Sequence, residues 1–214
     1  MSTAQGDTSL RTCPLDTGAR RGYNTGTMEK PIAVDRMKTQ LLALLQREAL
    51  KKGKFILSSG KESTFYLDGR VITMTPEGAF LIANLMLAMI KGDNVAALGG
   101  PTLGADPIVG AVAAVSHING VALKTFIVRK AAKEHGTQRQ VEGPALKAGD
   151  RVVLVDDVAT SGKSLIEAKK VMDSLNLTVV KAMVIVDRNE GGRENLAAVG
   201  VKLESIFTLP DLGV

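Results

Sequence analysis

The sequence predicts an α/β fold: a mostly parallel central sheet flanked by helices. Two features carry that expectation. From about residue 94 onward, short apolar runs alternate with stretches of helical length and period, the order that builds a parallel sheet from strand–helix–strand units. The runs themselves, such as Val152-Val153-Leu154-Val155, lack the apolar–polar alternation of half-exposed strands, as strands buried on both faces should. In such a sheet a ligand binds in the crevice beyond the carboxyl ends of the strands.

The chain of 214 residues fits one domain of ordinary size. Its 45% hydrophobic and 23% charged residues have the balance of a globular protein. Aromatic residues make up 3%, with no Trp, so the core must rest on Val, Leu, Ile, Ala and Met. That scarcity argues against a single-stranded nucleic-acid binder, which needs stacking platforms. A net charge of +5 suits a phosphate ligand or a nucleic acid, but it equally describes a mildly basic surface and decides nothing. The lone Cys13 allows no internal disulfide, in keeping with a reducing compartment such as the cytoplasm. No apolar run reaches the length of a membrane span, and the start lacks the basic-then-apolar order of a secretory signal.

Residues 1–31, rich in Gly, Ser and Thr without an apolar period, read as a flexible tail, with Met28 an alternative start. Residues 32–214 read as one domain. Met37, Leu41, Leu44, Leu45 and Ala49 line one face of a helix beginning at Asp35. Residues 55–57 and 64–68 read as short strands around the turn Ser58-Ser59-Gly60-Lys61. Thr75-Pro76-Glu77 opens the next helix, with Thr as cap, Pro at the first helical position and an acid in the first turn. That helix runs to about Lys91. Strands are then expected at 94–98, 121–128, 151–156, 179–186 and 201–207, and helices at 104–118, 161–175 and 191–199.

The chemistry concentrates in Val152-Val-Leu-Val-Asp-Asp-Val-Ala-Thr-Ser-Gly-Lys-Ser164. A buried strand delivers Asp156 and Asp157 to its end, and a turn of small residues opens a helix. Small side chains let the backbone N–H groups of 159–164 approach a phosphate, and the helix N-terminus adds unpaired donors. Thr160, Ser161 and Ser164 add hydroxyls. The carboxylates can accept from vicinal ribose hydroxyls and offer negative charge where a ribose carbon becomes cationic. One Asp ending a strand and one Ser capping a helix would be ordinary structure. Two adjacent acids repel each other and need a further reason. The spacing is not that of a Walker loop, since only Gly162 precedes Lys163.

Two further segments follow strands. Arg129-Lys-Ala-Ala-Lys-Glu-His-Gly136 comes directly after the apolar run ending at Val128. It reads either as a solvated basic loop or as a flap whose Arg129, Lys130, Lys133 and His135 gather around an anionic leaving group. Gly99-Gly-Pro-Thr-Leu-Gly-Ala-Asp106 reads as a strand-to-helix turn that could form a second backbone cradle. Arg188, after the apolar run ending at Val186, offers a planar fork of donors for a carboxylate or ring carbonyl, with a surface ion pair as its simpler use.

The 152–164 segment resembles the phosphoribosyl-diphosphate (PRPP) motif of the type I phosphoribosyltransferases. The resemblance sharpens to the orotate phosphoribosyltransferases through Arg129–Gly136, which looks like their catalytic loop, through Phe55-Ile-Leu-Ser-Ser-Gly-Lys-Glu-Ser-Thr-Phe-Tyr-Leu-Asp68, and through Val186-Asp-Arg188. It spans roughly residues 35–207 and implies a type I phosphoribosyltransferase fold with a small N-terminal hood from about 53–72. By resemblance, Asp156, Asp157, Val158, Ala159, Thr160, Ser161, Gly162, Lys163 and Ser164 bind PRPP together with Arg129, Lys130, Lys133 and His135. Catalysis falls to Lys133, Asp157, Arg129, Lys130 and His135. Orotate falls to Thr160, Arg188, Tyr66 and Leu67. The same resemblance implies a homodimer whose basic loop reaches into the neighbouring subunit. Mg2+ is expected as cofactor, carried on diphosphate and ribose oxygens rather than in a dedicated protein cage. One position departs from some family members, which carry a Lys where this chain has Ser58; Lys61 is the nearby candidate for its role. A purine salvage transferase and a non-catalytic PRPP sensor that binds nucleic acid are the rival readings. A fused decarboxylase barrel, at about 250 residues, does not fit in the remaining chain.

Overall fold

A computed structural model of the chain describes residues 34–56, 62–121, 123–130 and 140–214. The expected tail with Met28, the turn holding Ser58 and Lys61, and the loop residues Lys133 and His135 lie outside the described residues.

Helix α1 (Val34–Leu44) buries Met37, Leu41 and Leu44, and the same face continues through a π-helical turn, Leu45–Ala49, that buries Leu45 and Ala49. Strands β1 (Leu50–Ile56) and β2 (Glu62–Leu67) pair as an antiparallel hairpin apart from the main sheet. The sequence places the first of these strands at 55–57, five residues late. The reason is physical: Lys51, Lys52 and Lys54 are exposed, so the strand carries no apolar signal. A four-residue helix, α2 (Arg70–Thr73), follows. Helix α3 (Pro76–Met89) starts as expected, with the Thr75 hydroxyl accepting from the Gly78 N–H at 3.1 Å.

The remainder alternates: β3 (Ala97–Pro101), α4 (Ala105–Ile118), β4 (Lys124–Val128), the two-residue β5 (Val141–Glu142), β6 (Arg151–Ala159), α5 (Lys163–Ser174), β7 (Thr178–Asp187), α6 (Gly192–Ala198) and β8 (Leu203–Thr208). The six-stranded sheet has the order β5-β4-β3-β6-β7-β8, parallel throughout except for β5. Along β6, Val153 and Val155 join one apolar cluster with residues of α1, α3 and α4, whereas Val152 and Leu154 join another with residues of α5 and α6. Both faces of the sheet are therefore covered, which is why the run shows no period of two.

Two differences from the sequence expectation matter for function. Strand β3 spans 97–101, not 94–98, so Gly99, Gly100 and Pro101 belong to the strand and only 102–104 turn. Side chains there would run into neighbouring strands, since a Cβ at Gly99 would meet the Phe126 carbonyl and one at Gly100 the Val155 carbonyl. Strand β6 runs on to Ala159, so the acid pair sits on the strand itself. From β3 the chain goes to β4 on one side and later returns as β6 on the other. That reversal opens a crevice between the carboxyl ends of β3 and β6.

One buried cation locks β7 from the opposite direction. Lys181, 7% exposed, donates to the Met89 carbonyl at 2.8 Å and to Glu204 Oε2 at 2.9 Å. It also lies 2.8 Å from Asp93 Oδ2, without hydrogen-bond alignment. Removing the ammonium leaves two half-buried carboxylates facing each other. Lys181→Met is expected to lower unfolding free energy by about 2 kcal/mol in a denaturant titration; an unchanged midpoint would contradict that role.

Candidate active site

Strand β6 presents the two carboxylates side by side. Asp156 is 7% exposed and Asp157 half-buried. The Ser164 hydroxyl donates to Asp156 Oδ2 at 2.9 Å, the Asp157 N–H to Asp156 Oδ1 at 3.0 Å, and the Val158 N–H to Asp157 Oδ1 at 2.8 Å. Two glycine backbones press on the pair. A Cβ at Gly104 would collide with Asp156 Oδ1 and come within 2.6 Å of Asp157 Oδ1. A Cβ at Gly69 would lie 2.9 Å from Asp157 Cβ and 3.0 Å from its Oδ2. The pair is thus held between the segment leaving β2 and the β3–α4 turn. Burial, reinforced by the neighbouring Asp157 charge, pushes the Asp156 carboxyl up to about 7, against the opposing Ser164 hydrogen bond. Burial also raises Asp157.

Beyond the acids the chain forms an uncapped helix entrance. Helix α5 begins at Lys163, later than the expected 161, and its cap is Gly162 at φ 73°, a left-handed conformation that glycine adopts without a Cβ penalty. No side chain caps it. Thr160 and Ser161 are exposed, and the first-turn N–H groups have no partner within the helix. From α6, Asn195 Nδ2 donates to the Ser161 carbonyl at 3.0 Å, which braces the turn.

The hood and the end of β7 meet at Arg188. Its guanidinium lies 5.2 Å from the centroid of the Phe65 ring, and its Nε donates to Glu190 at 2.8 Å. Its backbone N–H donates to the Ala159 carbonyl at 2.9 Å. Tyr66 is exposed, with its ring 5.8 Å from that of Phe55, and Leu67 is buried. Arg188 is therefore brought against Phe65, the residue before Tyr66 and Leu67, and against Ala159, the residue before Thr160. Next to Arg188, the fully buried Asp187 accepts from the Asn189 N–H at 2.9 Å. Arg193 Nε sits 2.6 Å from its other oxygen but off the line of its N–H, so that contact is an ion pair.

On the β4 side, the Thr102 N–H donates to the Val128 carbonyl at 3.1 Å, which sets the β3–α4 turn beside Arg129. Arg129 pairs with Glu142 at 3.3 Å, and Lys130 is exposed. A cleft of about 740 Å³ lies between the segment after β2 and the β3–α4 turn, lined among others by Asp68, Arg70, Met74, Leu103 and Asp106. Arg70 grips Asp68 with both ends of its fork, Nε at 2.9 Å and Nη2 at 3.0 Å. Sequence reasoning missed Asp68, Gly69, Arg70, Gly104 and Asn195 as individual contributors. Only the Gly-rich turn around Gly104 carried a visible signal. Among the described residues no group of three or more His, Cys, Asp or Glu side chains is arranged to hold a metal ion.

The phosphoribosyl transferase domain family matches residues 72–208. The orotate phosphoribosyltransferase of Aquifex aeolicus is 44% identical over 176 residues, covering 81% of this chain and 96% of that protein. That of a Nostoc species is 41% identical over 179 residues, covering 84% and 86%. The crystal structure of the Mycobacterium tuberculosis orotate phosphoribosyltransferase in complex with 5-phospho-alpha-D-ribosyl 1-diphosphate superposes with a TM-score of 0.71 at 31% identity, covering 83% of this chain and 99% of that one.

The burial of Asp156 has a consequence for stability. The fold favours its protonated form, so its contribution is favourable at low pH and is lost as pH rises from the unfolded value of about 4 through about 7. Asp156→Asn keeps an acceptor and removes the charge. Its melting temperature should match that of the parent near pH 4 and exceed it above pH 7; an offset independent of pH would contradict the buried-charge account.

Proposed function

We propose that this chain, which belongs to the phosphoribosyltransferase family and within it to the orotate phosphoribosyltransferases, transfers the ribose 5-phosphate group of PRPP to orotate, giving orotidine 5-phosphate and diphosphate on the route to UMP. The observation that carries the reading is the acid pair Asp156-Asp157 followed by the uncapped entrance of α5, set in the crevice between β3 and β6.

In this reading the 5-phosphate lies against the N–H groups of residues 158–164 and the hydroxyls of Thr160 and Ser161, where helix donors are unpaired. Asp157 accepts from the ribose hydroxyls, with Asp156 beside it fixed by Ser164. In the same reading the acid pair also faces the anomeric carbon as it gains positive character. Orotate sits on the other side, between the β2 backbone at Tyr66 and Leu67, Thr160 and the Arg188 fork. The stacking of Arg188 on Phe65 supports that placement. Displacement at the anomeric carbon by a ring nitrogen needs no covalent enzyme intermediate. It needs two reactants held in line and a stabilised leaving group.

The leaving diphosphate falls to the turn 102–104 and to the cations Arg129, Lys130, Lys133 and His135. We assign Lys133 the largest share and propose that the loop serves the partner subunit of a homodimer. Mg2+ is the proposed cofactor; carried on diphosphate and ribose oxygens, it would supply charge neutralisation. A cytoplasmic location, where Cys13 stays reduced, belongs to the same proposal.

Purified protein mixed with PRPP, Mg2+ and orotate should deplete the orotate absorbance, while adenine, guanine and hypoxanthine should not react. Consumption of a purine in place of orotate would overturn the substrate assignment, and no reaction with any base would overturn the transferase. Lys133→Ala should lower kcat by about a hundredfold while changing orotate affinity little. Full turnover in that variant would remove Lys133 from the leaving-group site.

A further inference from the structure

The turn between β6 and α5 carries N–H groups assigned to the 5-phosphate, yet its other side is held by a segment with no assigned part in that binding. Three consecutive carbonyls, at the end of β6 and in the turn, face the stretch from Arg188 into α6. The Ala159 carbonyl accepts from the Arg188 N–H at 2.9 Å. The Thr160 carbonyl lies 2.9 Å from where a Cβ on Gly192 would stand, which excludes a side chain there without a shift of the turn. The Ser161 carbonyl accepts from Asn195 Nδ2 at 3.0 Å. Gly162 continues the contact, since a Cβ on it would lie 3.2 Å from Leu196 Cδ1 and 3.3 Å from the Gly192 carbonyl.

A trans peptide is planar, so each carbonyl points opposite to the N–H of the next residue. Holding the Ala159 and Ser161 carbonyls toward α6 therefore turns the N–H groups of Thr160 and Gly162 away from it. The two anchors differ in kind. The one on Ala159 comes from a backbone N–H and does not depend on the side chain at 188. The one on Ser161 comes from a side chain and depends on Asn195. Gly162, at φ 73°, belongs to the residue type with the widest backbone freedom, so the Ser161–Gly162 peptide has the most to gain from an anchor.

We infer that Asn195 is a positioning residue for the 5-phosphate: its amide holds the Ser161–Gly162 peptide so that the Gly162 N–H is presented to the ligand. This inference rests on the PRPP reading of the site. A carboxamide carries no net charge, so Asn195 does not work by attracting an anion. It works through the peptide that it holds, and a donor oriented before the ligand arrives lowers the ordering cost of binding.

The test is steady-state kinetics of the full chain with Mg2+, varying PRPP at saturating orotate and then orotate at saturating PRPP. Asn195→Ala removes the donor, and Ala favours a helix more than Asn does, so α6 itself should not loosen. The KM for PRPP should rise by about threefold to tenfold, the size expected for one hydrogen bond, while the KM for orotate stays at the parental value. Asn195→Gln, which keeps an amide donor on a longer arm, should fall between the two. Gly192→Ala presses on the same turn from the Thr160 side and should also raise the KM for PRPP. Thermal melting identifies any variant that fails to fold. A parental KM for PRPP in folded Asn195→Ala would overturn the inference, as would an equal rise in both KM values, which would mean that the whole β7–α6 turn had loosened. Absence of turnover by the unaltered chain would instead overturn the proposed function.

Discussion

Two carboxylates on consecutive residues of a buried strand, wedged between glycine backbones, constrain everything around them. Like charges this close repel, and burial withholds the water that would screen them, so Asp156 is driven toward its neutral form. The fold tolerates that cost through three local devices. Ser164 donates to one acid, backbone N–H groups donate to both, and Arg70 offsets the charge of the other. None of these would be needed for packing alone. Apolar residues at 156 and 157 would bury more comfortably, and that cost is what supports the proposed acceptor role of the pair.

The sheet explains why that surface lies where it does. Parallel strands send all their carboxyl ends to one edge, and the reversal of strand order between β3 and β6 parts the loops that follow them. The β3–α4 turn brings Gly104 onto the acids, and the hood brings Gly69 onto Asp157 from another direction. The end of β7 supplies Arg188, stacked on Phe65 of the hood. Three separate stretches of chain, the β3–α4 turn, the Gly69 segment and the start of α5, thereby meet around one pair of side chains. Hydrogen bonds to Asp187 and from Asn195 tie down the β7–α6 turn and the turn before α5.

Much of this was legible in the sequence because it is encoded locally. The alternation of runs gave the layer order, Thr75-Pro76 marked the start of α3, and Asp156–Ser164 carried its own chemistry in one stretch. What escaped is encoded in three dimensions. Strand β1 is polar along most of its length, so no apolar pattern announced it. Gly99 and Gly100 looked like turn residues because nothing in the linear order shows that neighbouring strands exclude a side chain there. Gly104 adopts an ordinary helical φ of −62°, so its glycine is demanded by space and not by conformation. Asp68 and Arg70 look like common surface charges until the closeness of Gly69, between them, to Asp157 is known.

The account depends on the closeness of Gly104 to the acid pair, and a single methyl group tests it. Gly104→Ala adds that methyl with no change in charge, at a φ of −62° that alanine adopts freely, and at a point where it must displace Asp156 Oδ1. Overpacking of this kind costs about 1 to 3 kcal/mol. Calorimetry with PRPP and Mg2+ should therefore show affinity reduced by about tenfold or more in a variant whose circular dichroism and melting remain those of a folded protein. Parental affinity in folded Gly104→Ala would contradict the claim that the acid pair, in this position, holds the ribose.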